Sequence, residues 1–365
     1  MASVASMTTV HDPGAVPIID LGDLDGDETR RDELAERLCA VCHEVGFALL
    51  SNHGIAPELV DDVFSLMQRF FALDESQRAL IDKTRSPHFR GWEAVGSEYT
   101  NNRVDVREQI DVWSEWPVET DADAPVAARL LGPNQWLSDD VLAGQREVTL
   151  RWMDELGRLA DRLLSLMARG LGLPDDHFAE MFGDGAMSLT KMISYPPTPD
   201  GGAGVNAHHD AGFLTLLAPG TVPGLQILDA DDEWVDVPIV EGTLVMNLGE
   251  MLQAMTANYF VATPHRVITN EARLSTAYFH GPRLDTEVAV LPLPSRFAEA
   301  VEASPRHRSA GFMASAEETG GGVGDMASSH RPSTYGEQLW NYFVRSYPDN
   351  VRRHHPDVLV AADPG

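Results

Sequence analysis

Between residues 188 and 280 the chain breaks into short runs rich in β-branched and aromatic residues, separated by Gly, Pro and Asp. The runs are Ser188 to Tyr195, Gly212 to Leu217, Leu225 to Leu228, Thr243 to Leu248, Arg266 to Thr269 and Arg273 to His280. Strands this short, with turn signals between them and no alternating helices, do not build βαβ units. They predict a β-sandwich or jelly roll.

The sequence before residue 185 has a different texture. Val16 to Leu21 and Phe47 to Leu50 read as strands, the second closed by the turn Asn52-His53-Gly54. Leu34, Leu38, Val41 and Val45 recur at helical spacing up to Gly46, and Leu59, Val63, Met67 and Phe70 mark a second helix. Ser86 to Asn102 looks irregular. A long helix is predicted from Asp139 to Gly170, stopped by Gly170 and Pro174. Ser304 to Pro332 is poor in large apolar residues and reads as a loop, followed by a helix over Tyr335 to Val344 and a polar tail. A length of 365 residues allows two domains or one large β-rich unit.

Charge and cysteines narrow the class. The net charge of −29 repels a nucleic-acid backbone or an anionic membrane as main partner, and no apolar run is long enough for a membrane helix. Cys39 and Cys42 form a C-x-x-C placed mid-helix with no second pair, a poor zinc or redox pattern. They read as ordinary helix positions in a reducing cytoplasm.

Chemistry concentrates in the β-rich half. In His208-His209-Asp210 the outer two side chains share a strand face. His265 follows 55 residues later, and Arg273-Leu274-Ser275 places two polar side chains on one face of the next strand. Two imidazoles and one carboxylate on one side of a metal leave its other positions open, the facial triad of non-haem Fe(II) oxygenases. His355-Pro356-Asp357 also fits H-x-D, but it holds a proline and has no downstream partner.

These residues resemble the isopenicillin N synthase-like family of Fe(II)- and 2-oxoglutarate-dependent dioxygenases, from about Val16 to Tyr347. Further matching motifs are Pro17-Ile18-Ile19-Asp20-Leu21, Val45-Gly46-Phe47, Gly91-Trp92, Arg107-Glu108, Gly132-Pro133-Asn134, Tyr195-Pro196-Pro197, Gly224-Leu225-Gln226-Ile227 and Asn247-Leu248-Gly249. The resemblance implies a mainly β fold with flanking helices and a double-stranded β-helix (jelly roll) core. It divides the chain into a flexible leader (1–15), an N-terminal α/β flank holding the long helix 139–170 (16–180), the catalytic core with the metal site (181–303), a mobile loop or lid (304–332) and a C-terminal helix and tail (333–365).

Carried onto this sequence, the resemblance makes His208, Asp210 and His265 ligands of Fe(II), with Arg273, Ser275 and Tyr195 holding 2-oxoglutarate and O2 as oxidant. C–H oxidation of a small-molecule metabolite would yield succinate and CO2, by hydroxylation, desaturation or ring formation. By family position, Phe89, Trp92, Phe213 and Tyr342 are substrate-pocket candidates, and His280 joins them at the end of the Arg273 strand. Lys191 reads equally as a surface residue or a cosubstrate contact. The expected protein is a cytoplasmic monomer with no nucleic-acid or membrane partner. Two other readings stay open: an iron oxidase of the same fold that acts without 2-oxoglutarate, and a barrel that binds metal or a small acid without turnover.

Overall fold

Two β-sheets face each other across an apolar interior in the computed structural model, which describes residues 16–100, 103–198, 202–304, 307 and 334–360. The first half of the chain contributes β1 (Ile18–Asp20), β2 (Phe47–Ser51), β3 (Gly91–Glu93), β4 (Tyr99–Thr100), β5 (Arg103–Val104) and β6 (Glu108–Trp113). The second half contributes β7 (Leu189–Tyr195), β8 (Ala203–His208), β9 (Leu214–Ala218), β10 (Leu225–Leu228), β11 (Trp234–Asp236), β12 (Leu244–Leu248), β13 (His265–Ile268) and β14 (Arg273–His280). The larger sheet has eight strands in the order β1-β2-β12-β9-β14-β7-β6-β3, and the smaller four in the order β11-β10-β13-β8. This is the jelly roll expected, with helices against the outer face of the larger sheet.

Alternation along the strands decides which side chains face which layer. Phe47, Leu49, Ile193, Tyr195 and Val245 of the larger sheet meet Val205, Leu225, Ile227 and Val267 of the smaller one inside the roll. Their neighbours Ala48, Leu50, Ile110, Met192, Leu216 and Tyr278 point the other way, into the core made with Leu34, Leu38, Trp152, Leu156 and Leu163 of the helices. Each such large side chain contributes about 1.5–3 kcal/mol by leaving water.

The structure corrects several expectations. Four of the eight strands of the larger sheet come from residues before 180, so the supposed flank is built into the roll. The long helix is two pieces, Asp139–Leu142 and Gln145–Gly170, because Gly144 between them has φ 78°, a left-handed turn. The polar tail forms two more helices, Pro348–His354 and Pro356–Val360. The leader 1–15 and nearly all of the loop 304–332 lie outside the described residues. No helix among the described residues is long and apolar enough to cross a membrane.

Cys39 and Cys42 face inward from the helix Glu28–Glu44, both buried and unpaired. Gly170 lets the long helix pass so close that a Cβ there would stand 2.4 Å from the Cys39 sulfur. Burial pushes the Cys39 thiol up to about 12 and the Cys42 thiol well above its ordinary value. A thiolate is the reactive form, so neither cysteine should react with a disulfide-exchange reagent at pH 8 until the protein unfolds. Labelling of either in the native protein would contradict this packing.

Candidate metal centre and cosubstrate site

β8 and β13 run side by side with His208 directly opposite His265. Asp210 follows just after β8, and one ligand atom from each of the three residues falls within 4.8 Å of the others. The Asp210 Oδ1 atom stands 3.7 Å from His208 Nε2 and 3.6 Å from His265 Nε2. The outer atoms are all held. His208 Nδ1–H donates to the Asn206 carbonyl at 2.9 Å and His265 Nδ1–H to the Thr263 carbonyl at 3.1 Å, which fixes both tautomers with Nε2 free. Asp210 Oδ2 accepts from Thr215 Oγ1 and Asn247 Nδ2, each at 2.6 Å, leaving Oδ1 to face the histidines.

The electrostatics suit a cation. Burial, with His265 alongside, pushes the His208 imidazole down to about 3, so it is neutral at physiological pH. For Asp210 burial opposes ionisation, but the two histidines and the Thr215 and Asn247 hydrogen bonds outweigh it and hold the carboxyl below its usual range. Two imidazoles presenting Nε2 and one carboxylate on one face fit a divalent transition metal with open positions opposite.

Arg273, Ser275 and Tyr195 meet on the inner face of the larger sheet. Arg273 pairs with Tyr195 across β14 and β7, and Ser275 with Ile193. The Arg273 guanidinium is buried 5.0 Å from the Tyr195 ring centroid; its Nη1 donates to Ser275 Oγ at 2.8 Å and its Nε to the Val222 carbonyl at 3.2 Å. Among the described residues no carboxylate pairs with it. A buried guanidinium fork without an anion matches a ligand carboxylate. Gly204 on β8 makes room for the tyrosine, since a Cβ there would stand 2.6 Å from Tyr195 Cδ1. Gly204→Ala should therefore push the ring against Arg273 and weaken 2-oxoglutarate binding roughly tenfold, in line with about 1–3 kcal/mol of overpacking. An anaerobic titration of the Fe(II)-loaded variant with 2-oxoglutarate reads it.

Of the five pocket candidates, four lie elsewhere. His280 is seven residues from Arg273 and so on the opposite face, where its Nε2 meets Asp161 Oδ1 at 3.0 Å and its ring stacks on Phe182. Trp92 pairs with Ile110 on that same helix-facing side. Phe89 is fully buried beside Phe343, and Phe213 packs edge-on against Phe182. Tyr342 differs: its hydroxyl donates to Glu98 Oε1 at 3.4 Å, among buried charges. The second H-x-D is also accounted for, with His355 Nε2 on the Pro87 carbonyl and Asp357 on Arg129.

Those buried charges escaped the sequence. Lys191 is buried rather than at the surface, 3.2 Å from Asp111 Oδ2 and 3.3 Å from Glu98 Oε1. Lys83 lies 2.7 Å from Asp111 and 2.8 Å from Glu93, and Arg107 2.7 Å from Glu98 and 3.1 Å from Asp105. Burial raises the Glu93 carboxyl. For Glu98 burial is outweighed by Arg107 and Lys191, which hold it ionised. Asp111, Lys191, Ile193 and Tyr195 share the inner face, so this cluster continues the wall that carries Arg273. Only its alternation with apolar residues at period two hinted at it in sequence.

A jelly roll with two histidines and a carboxylate open on one side defines a non-haem Fe(II) oxygenase. Residues 184–282 match the 2OG-Fe(II) oxygenase superfamily and residues 16–139 match the non-haem dioxygenase in morphine synthesis N-terminal family. The 2-oxoglutarate-dependent dioxygenase frbJ of Dothideomycetidae sp. (strain 11243) is 31% identical over 354 residues, spanning 94% of this chain and 90% of frbJ. Homoarginine-6-hydroxylase 2-ODD-C23 of Glycine max is 30% identical over 77% of this chain and 89% of its own. Among solved structures, a full-length Neurospora crassa protein in complex with alpha-KG and thymine superposes with TM-score 0.68 at 25% identity, covering 78% of this chain and 91% of its own. The chain belongs to the 2OG-Fe(II) oxygenase superfamily. It is an oxidoreductase that uses Fe(II), 2-oxoglutarate and O2.

Proposed function

We propose that His208, Asp210 and His265 hold the Fe(II), that Arg273, Ser275 and Tyr195 hold the distal carboxylate of 2-oxoglutarate, and that the substrate is a small polar molecule bearing nitrogen. The observation that carries this reading is the shared inner face: Arg273 and Tyr195 stand on one rung, and Lys191 and Asp111 lie further along the same wall. When bound, iron, cosubstrate and O2 together supply the oxidant for a substrate C–H bond, with succinate and CO2 as coproducts. The protein's residues bind and orient. The Asn206 and Thr263 carbonyls aim the imidazoles, Thr215 and Asn247 aim the carboxylate, and the Arg273 fork sets the direction of the cosubstrate.

A wall of buried ion pairs recognises polar groups better than hydrocarbon, because an apolar surface against it offers nothing to the polar atom still unsatisfied there, Asp111 Oδ1. The names of the homoarginine hydroxylase and of the Neurospora crassa thymine complex point to the same substrate chemistry. The proposed iron and cosubstrate ligands form a complete set within one chain, so a monomer needs no second copy to build the site. Two buried free thiols suit the cytoplasm, and the −29 charge argues against nucleic-acid or membrane partners. Succinate formation should rise with amino acids, homoarginine among them, or nucleobases, and not with terpenoids or fatty acids. The opposite selectivity would overturn the polar-substrate reading.

A further inference from the structure

His208 and His265 sit on strands of unequal support. β13 is paired on both sides, by β10 and β8. β8 is the edge strand of its sheet, and its pairing with β13 slips register between His265 and Val267. An edge strand with an irregular ladder fixes its side chains poorly unless something outside the sheet completes it. The outer side of β8 is met by Asp105, which lies between β5 and β6 and has no solvent exposure.

One Asp105 oxygen, Oδ1, accepts both the main-chain N–H of Asn206 at 3.1 Å and its side-chain Nδ2 at 2.8 Å. The other, Oδ2, accepts from Thr100 Oγ1 at 2.6 Å and pairs with Arg107 Nη2 at 3.1 Å. Asn206 is the residue whose carbonyl holds His208 Nδ1. Four donors thus converge on one carboxylate, and two of them belong to the residue that aims the histidine. His265, on its two-sided strand, is aimed by the Thr263 carbonyl, and Thr263 is tied by its hydroxyl to the Val45 carbonyl, a neutral hydrogen bond in place of the buried carboxylate that serves His208.

We propose that Asp105 is the positioning residue of His208: it pins Asn206 on the free edge of β8 so that the imidazole Nε2 is presented to the metal. This rests on His208 being an Fe(II) ligand. Partners one step removed from a metal ligand are worth about 10- to 100-fold in metal affinity.

The experiment is an anaerobic Fe(II) titration at fixed excess 2-oxoglutarate, read by the visible charge-transfer band of the ternary complex, with thermal unfolding of each apoprotein as the check on folding. Asp105→Ala should weaken Fe(II) binding about 10- to 100-fold. Asn206→Ala, which keeps the main-chain hydrogen bond, should weaken it less, and Asp105→Asn should fall between. Should Asp105→Ala not fold, Asp105→Asn and Asn206→Ala decide. Folded variants that bind Fe(II) as the parent does, while His208→Ala loses it, overturn the role of Asp105 alone. If His208→Ala also binds iron normally, the ligand assignment itself is wrong.

Discussion

Arg273→Leu should raise the dissociation constant for 2-oxoglutarate by roughly 30-fold or more while Fe(II) binding stays near that of the parent. Truncating one side of a buried, hydrogen-bonded charge pair costs about 2–5 kcal/mol. Here the charge pair lost is the one with the ligand, because no protein carboxylate pairs with Arg273 among the described residues; the Ser275 hydroxyl and Val222 carbonyl lose only neutral-group hydrogen bonds. The rest of the molecule cannot compensate. A net charge of −29 repels a dianion at long range, so the positive charge that draws it in is that of the metal and this one guanidinium. Arg273→Lys should land between, since an ammonium keeps the charge but loses the two-pronged fork. Calorimetric titration with 2-oxoglutarate, with metal present and oxygen excluded, reads both variants.

Asp210→Ala should have the larger effect on iron, exceeding the roughly 10- to 100-fold attached to residues one step removed. The substitution removes the only anionic ligand of the proposed set, and it strands the Thr215 hydroxyl and Asn247 amide, each of which donates to Asp210 at 2.6 Å. Buried donors left without an acceptor cost about 1–3 kcal/mol each. Thermal stability of the apoprotein should therefore fall as well. The second H-x-D supplies the control. Asp357 is 61% exposed and pairs with Arg129 at 2.7 Å, so Asp357→Ala should leave iron binding unchanged. Metal content after anaerobic equilibrium dialysis compares the two.

The strands of the roll were legible where short runs rich in β-branched and aromatic residues stand between turn residues, as in β7, β12 and β14. β8 was not, although it carries His208, because Ala203-Gly204-Val205-Asn206-Ala207 has little β preference and is held from outside by Asp105. The ligand triad was legible because H-x-D is a local pattern and His265 opens the strand that pairs with it. His280 lies on the helix-facing side for a reason the sequence already contained: it is an odd number of residues from Arg273, so the two cannot share a strand face. The charged wall stayed hidden because Lys191 read equally as a surface residue or a cosubstrate contact, and nothing local to Glu98 or Asp111 marks them as buried. Their burial appears only when β3, β6 and β7 are brought into one sheet.

The central proposal is that one site in this chain binds Fe(II) and 2-oxoglutarate together, through His208, Asp210 and His265 on one side and Arg273, Ser275 and Tyr195 on the other. Anaerobic addition of Fe(II) and then 2-oxoglutarate to the apoprotein, followed by visible absorption, tests it most directly. The expected result is a charge-transfer band at one equivalent of each, absent in Asp210→Ala and shifted to far higher 2-oxoglutarate in Arg273→Leu. Iron binding with no band at saturating 2-oxoglutarate, or a band indifferent to both substitutions, would contradict it.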